Sequence, residues 1–311
     1  MRVSGEKAQP TFKNCEVSKN WVNGFQVSDG AKMIGENLNA SENGRSGIVI
    51  EKNSSADLVS CKLFKNYLTG LYVQNQSSGQ YKTVEASENG RGIVVDTGSS
   101  GEFSECRIEK NMEAGILVGG DQTNPTFRKC RIRLNNQKQS EAGVLVLETA
   151  KGQFLDNTID ENFIYGICVT DEADPLFKGN KIEYTVQGVQ VIVQKMAKGT
   201  FEGNQIKFHA AIPEQQKKLI KNGVLVFDDG EANKPAPTIQ GNIVVGEGID
   251  LGLDEDEGEE EDAQEPVPGQ TAPEKAPESQ PATVTPLPAA APPASTNAPA
   301  APTAPAPDPA P

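Results

Sequence analysis

An all-β solenoid is the fold class predicted by three features of the sequence. A short motif returns at near-constant spacing, apolar residues alternate with period two, and asparagine and glycine punctuate the runs between them. The motif is glycine, apolar, any residue, apolar. It recurs nine times, as Gly24-Phe-Gln-Val, Gly47-Ile-Val-Ile, Gly70-Leu-Tyr-Val, Gly92-Ile-Val-Val, Gly115-Ile-Leu-Val, Gly143-Val-Leu-Val, Gly166-Ile-Cys-Val, Gly188-Val-Gln-Val and Gly223-Val-Leu-Val. The steps between glycines are 23, 23, 22, 23, 28, 23, 22 and 35 residues. A period of this regularity marks a stack of structural repeats.

Each repeat carries a second frame ahead of its glycine. It reads Phe103, Cys106, Ile108, Asn111, Gly115 in one coil, and Phe12, Cys15, Val17, Asn20, Gly24 or Phe154, Asn157, Ile159, Asn162, Gly166 in others. Apolar residues two apart are strand periodicity, and helical spacing is absent from these runs. Asparagine and glycine tolerate the left-handed backbone of tight turns, so each coil is expected to hold two or three short strands joined by sharp corners. A coil this small cannot bury its own apolar face. Stacking buries it, through parallel ladders about 4.8 Å apart. The predicted architecture is a right-handed single-stranded parallel β-helix of about ten coils. The Leu-x-x-Leu-x-Leu signature of leucine-rich repeats is missing, and a full circuit with asparagine turns does not suit antiparallel hairpins.

Two steps depart from the period and mark insertions. The longer first step places extra residues around 135–142, and the longest places more around 209–222. In the second insertion Pro213 suits a first helical position and Gly223 lies just past residue 222, so a short helix is expected there. Insertions in solenoids map to outer loops, where binding often sits.

Composition divides the chain. The net charge is −14. Residues 254–311 hold 12 acids, one lysine and 15 of the 21 prolines, which leaves the first 253 residues nearly neutral at −3. The expected organisation is a β-helix over 1–253, an acidic disordered segment over 254–265 and a Pro/Ala-rich disordered tail over 266–311. The acidic segment reads as a spacer or as a docking element for a basic partner, and its charge argues against nucleic-acid binding. The N-terminus has no apolar run, so neither a signal peptide nor a membrane span is expected and a cytoplasmic location is the default. Pro10-Thr-Phe12 already belongs to a coil, leaving no room for a cap, which points to end-to-end self-association or to a longer array.

Residues that suggest chemistry fall mostly into the repeat frame. Cys15, Cys61, Cys106 and Cys130 share the slot held later by Asn157, Asn180, Asn204 and Asn242. They read as small buried free thiols, and their spacings match no zinc pattern. A second column, Asn20, Asn43, Asn66, Asn89, Asn111, Asn135 and Asn162, can bond amide to amide along the stack. His209, the one histidine, reads as a loop residue. No metal or other cofactor is expected. The acid pairs Asp171-Glu172 and Asp228-Asp229 follow strands, and Arg131-Ile-Arg133 lies on one, yet none completes an enzyme signature. The chain is therefore expected not to be an enzyme.

The third residue of each glycine motif should point opposite to its core neighbours. That column is Gln26, Val49, Tyr72, Val94, Leu117, Leu145, Cys168, Gln190 and Leu225. An outward column this apolar would form a patch, and Val49, Tyr72, Val94, Leu117, Leu145 and Leu225 are the expected contacts for a protein partner along the outer face.

Two kinds of coil opening alternate. One reads Asn124-Pro-Thr-Phe127 or Asp174-Pro-Leu-Phe177; the other reads Lys151-Gly-Gln-Phe154 or Lys198-Gly-Thr-Phe201. With these residues the sequence resembles, over about residues 10–245, the β-helix region of F-box proteins, within the wider carbohydrate-binding and sugar-hydrolase repeat group. Leu38 and Val84 depart from its Cys/Asn slot, and the sequence contains no F-box. The resemblance implies substrate recognition for a ubiquitin ligase. The expected function is accordingly a non-catalytic interaction scaffold. The alternative is a carbohydrate-binding or polysaccharide-processing β-helix.

Overall fold

A computed structural model describes residues 1–185, 189–208, 219–228 and 234–246. The acidic segment, the Pro/Ala-rich tail, His209, Asp229 and most of the helix expected over 213–222 lie outside these residues.

The described chain is a parallel β-solenoid with three faces. The first sheet collects the glycine-motif strands, among them Phe25–Ser28, Ile48–Ile50, Thr69–Val73 and Arg91–Val95. The second collects the strands that carry the phenylalanines, such as Glu102–Ser104, Thr126–Arg128 and Gln153–Leu155. The third collects the strands that precede the asparagines, such as Arg107–Glu109 and Arg131–Arg133. Successive coils pair in parallel register, so that Val49 lies beside Tyr72 and Tyr72 beside Val94. Equivalent residues therefore form columns.

Inside, the columns are apolar. Tyr81, Phe103, Phe127, Phe154, Phe177 and Phe201 stack in one file, with ring centroids 4.3 to 5.2 Å apart. Two amide ladders run beside it. In one, the Nδ2 of Asn66 donates to the Oδ1 of Asn89 at 2.9 Å, and the pattern repeats from Asn20 to Asn162. In the other, Asn157, Asn180, Asn204 and Asn242 repeat it. Cys61, Cys106 and Cys130 fill the earlier rungs of the second column as free, buried thiols, and Cys15 is only partly buried.

Glycine and asparagine earn their places differently from the turn argument. Of the motif glycines, Gly24, Gly47, Gly70, Gly92, Gly115, Gly143 and Gly166 do not sit at positive φ. A Cβ on Gly47 would lie 2.7 Å from the carbonyl oxygen of Gly70 and 2.9 Å from the amide of Asn66, so close approach of stacked backbones excludes a side chain. The left-handed residue at the third-sheet corner is the one before each asparagine: Lys19, Glu42, Lys65, Glu88, Lys110, Leu134 and Glu161. The backbone N–H of Lys65 donates to the Ser87 carbonyl of the next coil, so the corner is held by the stack and tolerates a non-glycine residue there.

Two local expectations change. The strand of the eighth motif is Val191–Val193, and Ile192 pairs with Cys168 and Leu225. Gln190 is thus not the outward residue. It takes the glycine slot, fully buried, and its Nε2 donates to the Thr185 Oγ1 at 3.1 Å. At the second insertion the described end is not helical. Ile220–Lys221 pairs antiparallel with Val224–Val226, and Asn222 and Gly223 both have positive φ. Asn-Gly in left-handed conformation is the tight hairpin turn, which turns residues 220–226 into a hairpin.

Burial also governs the thiols. Desolvation pushes Cys168 up to about 12 and raises Cys61 as well. Because the thiolate is the nucleophile, iodoacetamide at pH 8 is expected to label native protein at Cys15 first. The four buried cysteines, Cys61, Cys106, Cys130 and Cys168, should react only after unfolding, as read by mass spectrometry. Rapid native labelling of Cys61 or Cys168 would contradict the packing.

Candidate functional site

The second sheet carries a shallow groove of about 420 Å³ across four coils. Its walls come from alternation: in Ser55–Val59 and Ser78–Lys82 the residues Ala56, Leu58 and Tyr81 turn inward and are buried, so Ser55, Asp57, Ser78 and Gln80 turn outward. The next two coils add Ser100, Glu102, Asn124 and Thr126. Glycine occupies two inward positions beneath the groove, where a side chain has no room. A Cβ on Gly79 would fall 2.0 Å from the Ala56 carbonyl oxygen, and one on Gly101 would fall 2.8 Å from the Tyr81 ring. The Tyr81 ring fills the space beneath, and its hydroxyl donates to the Ser78 carbonyl at 3.1 Å. Burial, with a smaller contribution from Asp57, raises the phenol well above its ordinary range, so Tyr81 stays neutral.

Asp57, Gln80, Glu102 and Thr126 stand in one register column. Asp57 Oδ1 accepts the backbone N–H of Gln80 at 3.2 Å. Two coils separate the carboxylates of Asp57 and Glu102, about 10 Å along the stack. The lining is hydroxyls, amides and carboxylates, a set that both donates and accepts hydrogen bonds. Sequence reasoning missed this column. The available signal was the residue immediately ahead of each inward Leu58, Tyr81, Phe103 and Phe127, which is polar in four successive coils.

The residues singled out from sequence are placed elsewhere. The column of Val49, Tyr72, Val94, Leu117, Leu145 and Leu225 is in register on the first sheet, but it is covered rather than exposed. Val49, Val94, Leu145 and Leu225 are 3 to 7 % exposed, and Tyr72 and Leu117 are partly buried. Hydrogen-bonded polar residues lie in and beside this column. Gln26 and Gln74 donate to Glu51 at 2.6 and 2.9 Å, and the Tyr72 hydroxyl donates to Asp96 at 2.6 Å. Glu141, from the first insertion, is clamped by Arg91 and accepts the Ala114 N–H at 2.8 Å. The expected open apolar patch is therefore absent from this column.

Asp171 and Glu172 are left-handed corner residues, and Asp171 pairs with Lys195. Asp228 pairs with Lys234. Arg131 and Arg133 both reach Asp160, at 3.0 and 3.5 Å, and this carboxylate raises the Arg131 guanidinium further. These groups are tied to one another across neighbouring coils or loops. Among the described residues, no group of three or more His, Cys, Asp or Glu side chains is placed to hold a metal ion, and no helix is long and apolar enough to cross a membrane.

The chain belongs to the right-handed β-helix family, whose pattern matches residues 3–132 and 69–244. No curated protein matches it in sequence. Among solved structures it is similar to the periplasmic alginate epimerase AlgG, at 12% identity and a TM-score of 0.55, covering 79% of this chain and 55% of that one. The mannuronan C-5 epimerase AlgE4 A-module of Azotobacter vinelandii aligns at 12% identity and a TM-score of 0.45, over 78% of this chain and 75% of that one. The chain thus spans little more than half the length of AlgG, and at this identity the likeness is one of fold. The expectation that the chain is not an enzyme is overturned by AlgG, an alginate epimerase that shares its fold. The F-box resemblance and the interaction scaffold gain no support from them.

Proposed function

We propose that the chain is a polysaccharide-binding β-helix protein that processes the glycan it holds along the groove of the second sheet. The observation that carries this reading is the lining of that groove. Ser55, Ser78, Ser100 and Thr126 supply hydroxyls, Gln80 and Asn124 supply amides, and Asp57 and Glu102 supply carboxylates, all on one exposed face. A polyhydroxylated chain both donates and accepts hydrogen bonds, and this lining answers it group for group. Asp57 and Glu102 are the acid–base pair. Their separation leaves room for a sugar ring between a proton donor and a proton acceptor. The fold shared with the epimerases supports the same class of ligand.

The test is a panel of neutral and acidic polysaccharides incubated with the purified protein, with chain length followed by size exclusion and sugar configuration by proton NMR. Asp57→Asn and Glu102→Gln are each expected to lower turnover at least about 100-fold while the glycan remains bound. Unchanged turnover in both variants, or no glycan bound by the wild type, would sink the assignment.

A further inference from the structure

We infer that the corner where the third sheet passes into the first is a second glycan site, an aromatic strip that takes a polysaccharide bearing acidic groups. The inference rests on the reading of the protein as polysaccharide-binding, and it concerns a surface that shares no residue with the groove.

The strip is built by two adjacent columns. In the first, Trp21, Gly44, Tyr67, Gly90 and Met112 follow one another coil by coil, tied by backbone bonds from Gly44 to Asn20, Tyr67 to Asn43, Gly90 to Asn66 and Met112 to Asn89. In the second, Val22, Arg45, Leu68 and Arg91 are tied the same way, with Arg45 donating to Val22, Leu68 to Arg45 and Arg91 to Leu68. Large side chains therefore alternate with glycine in the first column, and apolar residues with arginine in the second. Trp21 is 96 % exposed and Tyr67 77 %, and neither ring has a partner among the described residues. The glycine between them is obligatory, and so is the next: a Cβ on Gly44 would lie 2.4 Å from the Trp21 carbonyl oxygen, and one on Gly90, beyond Tyr67, would lie 2.6 Å from that of Tyr67.

The rings thus stand two coils apart, about 10 Å, with a gap between them that no side chain can enter. That separation is about the length of two sugar units along an extended chain. The C–H face of a sugar ring carries the partial positive charge that an aromatic face attracts. A folded protein partner would prefer a continuous apolar surface, and here the apolar residues are split by glycine and arginine on every second coil.

Charge settles which glycan fits. The chain has seven arginines. Six of them are in ion pairs, with Asp29, Glu141, Glu109, Asp156, Asp160 and Glu161. Arg45 is the exception, exposed and without a carboxylate among the described residues, and it sits between the rungs of Trp21 and Tyr67. A guanidinium is built to grip a carboxylate in two-pronged fashion. A uronate-type chain stacked on the two rings would place an acidic group over it.

Trp21 is the only tryptophan, so its fluorescence reports this corner alone. Titrating the full chain with polygalacturonate should shift the emission to shorter wavelength, and a neutral β-glucan should do so far more weakly. Trp21→Ala with Tyr67→Ala should weaken retention in a polygalacturonate affinity gel at least about tenfold, and Arg45→Gln should erase the preference for the acidic chain. All three side chains are exposed, so circular dichroism should stay unchanged. The Asp57→Asn, Glu102→Gln double variant should keep the fluorescence shift, which separates failure of the groove from failure of the strip. An unshifted emission with retention intact would overturn the second site. Equal response to the neutral glucan would overturn the role of Arg45. A dimer in light scattering that Trp21→Ala dissolves would assign the strip to a second copy of the chain instead.

Discussion

Phe127→Ala is expected to cost about 3–5 kcal/mol of stability, among the largest effects of any single truncation in the chain. Phe127 is fully buried, in the middle of the aromatic file, with Phe103 at 4.3 Å on one side and Phe154 at 5.2 Å on the other. Removing its ring opens a cavity that the neighbouring coils cannot close, because each is pinned at three sheets. Both neighbours also lose a stacking partner. A solenoid is held by contacts between adjacent repeats, so the damage should divide the coils before this point from those after it. Urea unfolding should therefore show both a lower midpoint and a lower apparent m-value, the sign of a transition that is no longer all-or-none. Phe12→Ala is the control, at the first coil, where Phe12 is only partly buried and contacts Phe25 alone among the aromatic rings. Equal losses for the two variants would show that the file is not a cooperative element.

The fold was legible because its information is periodic. One misplaced residue in a coil is outvoted by the others, and the cysteine and asparagine columns fell in the slots the repeat assigns them, as did the glycines outside the eighth motif. The register slip at Gln190 has a definite cause. Moving a strand by two residues leaves every side chain on the same face, and Val189, Val191 and Val193 satisfy the alternation in either frame. Only the burial of Gln190 and its bonds to Thr185 distinguish them. Left-handed corners were assigned to glycine and asparagine by their intrinsic preference. Asn14, Asn37, Gly179, Gly203 and Gly241 do take that conformation, but at the third-sheet corner the residue before each asparagine takes it instead, since hydrogen bonds to the next coil outweigh a local cost of about 1–2 kcal/mol.

The site was harder to read, for a reason that lies in sheet geometry. Alternation tells which way Val49 or Leu145 points, and it says nothing about how high the flanking side chains stand. On the first sheet Val49, Val94, Leu145 and Leu225 are buried although they alternate with core residues. On the second, Asp57, Gln80 and Glu102 stand open. Exposure depends on neighbours in other coils, some 23 residues away, and only the stacked register brings them together. The aromatic strip shows the same principle. Trp21 and Tyr67 are far apart in sequence and look like isolated surface residues until the ladder places them two rungs apart.

The amide ladder should be as unforgiving as the aromatic file. Asn89 is fully buried and serves four bonds. Its Oδ1 accepts the backbone N–H and the side-chain amide of Asn66, both at 2.9 Å. Its Nδ2 donates to the Leu63 carbonyl at 2.9 Å and to the Asn111 Oδ1 at 3.2 Å. Asn89→Ala strands the Asn66 N–H and the Leu63 carbonyl away from water, each at about 1–3 kcal/mol, and a total loss of about 3–5 kcal/mol is expected in urea unfolding. Leucine would not rescue it, because the missing groups are backbone donors and acceptors. The bonds of one rung pass to the next, so the losses at neighbouring rungs overlap. Asn66→Ala combined with Asn89→Ala should therefore cost less than the sum of the two single losses, by about 1 kcal/mol or more in a double-mutant cycle. Asn20→Ala, at the start of the ladder, should cost least, because no earlier rung donates to it and its own side chain is exposed. Strict additivity of Asn66→Ala and Asn89→Ala would mean that the column is a row of independent turns rather than one hydrogen-bonded rail.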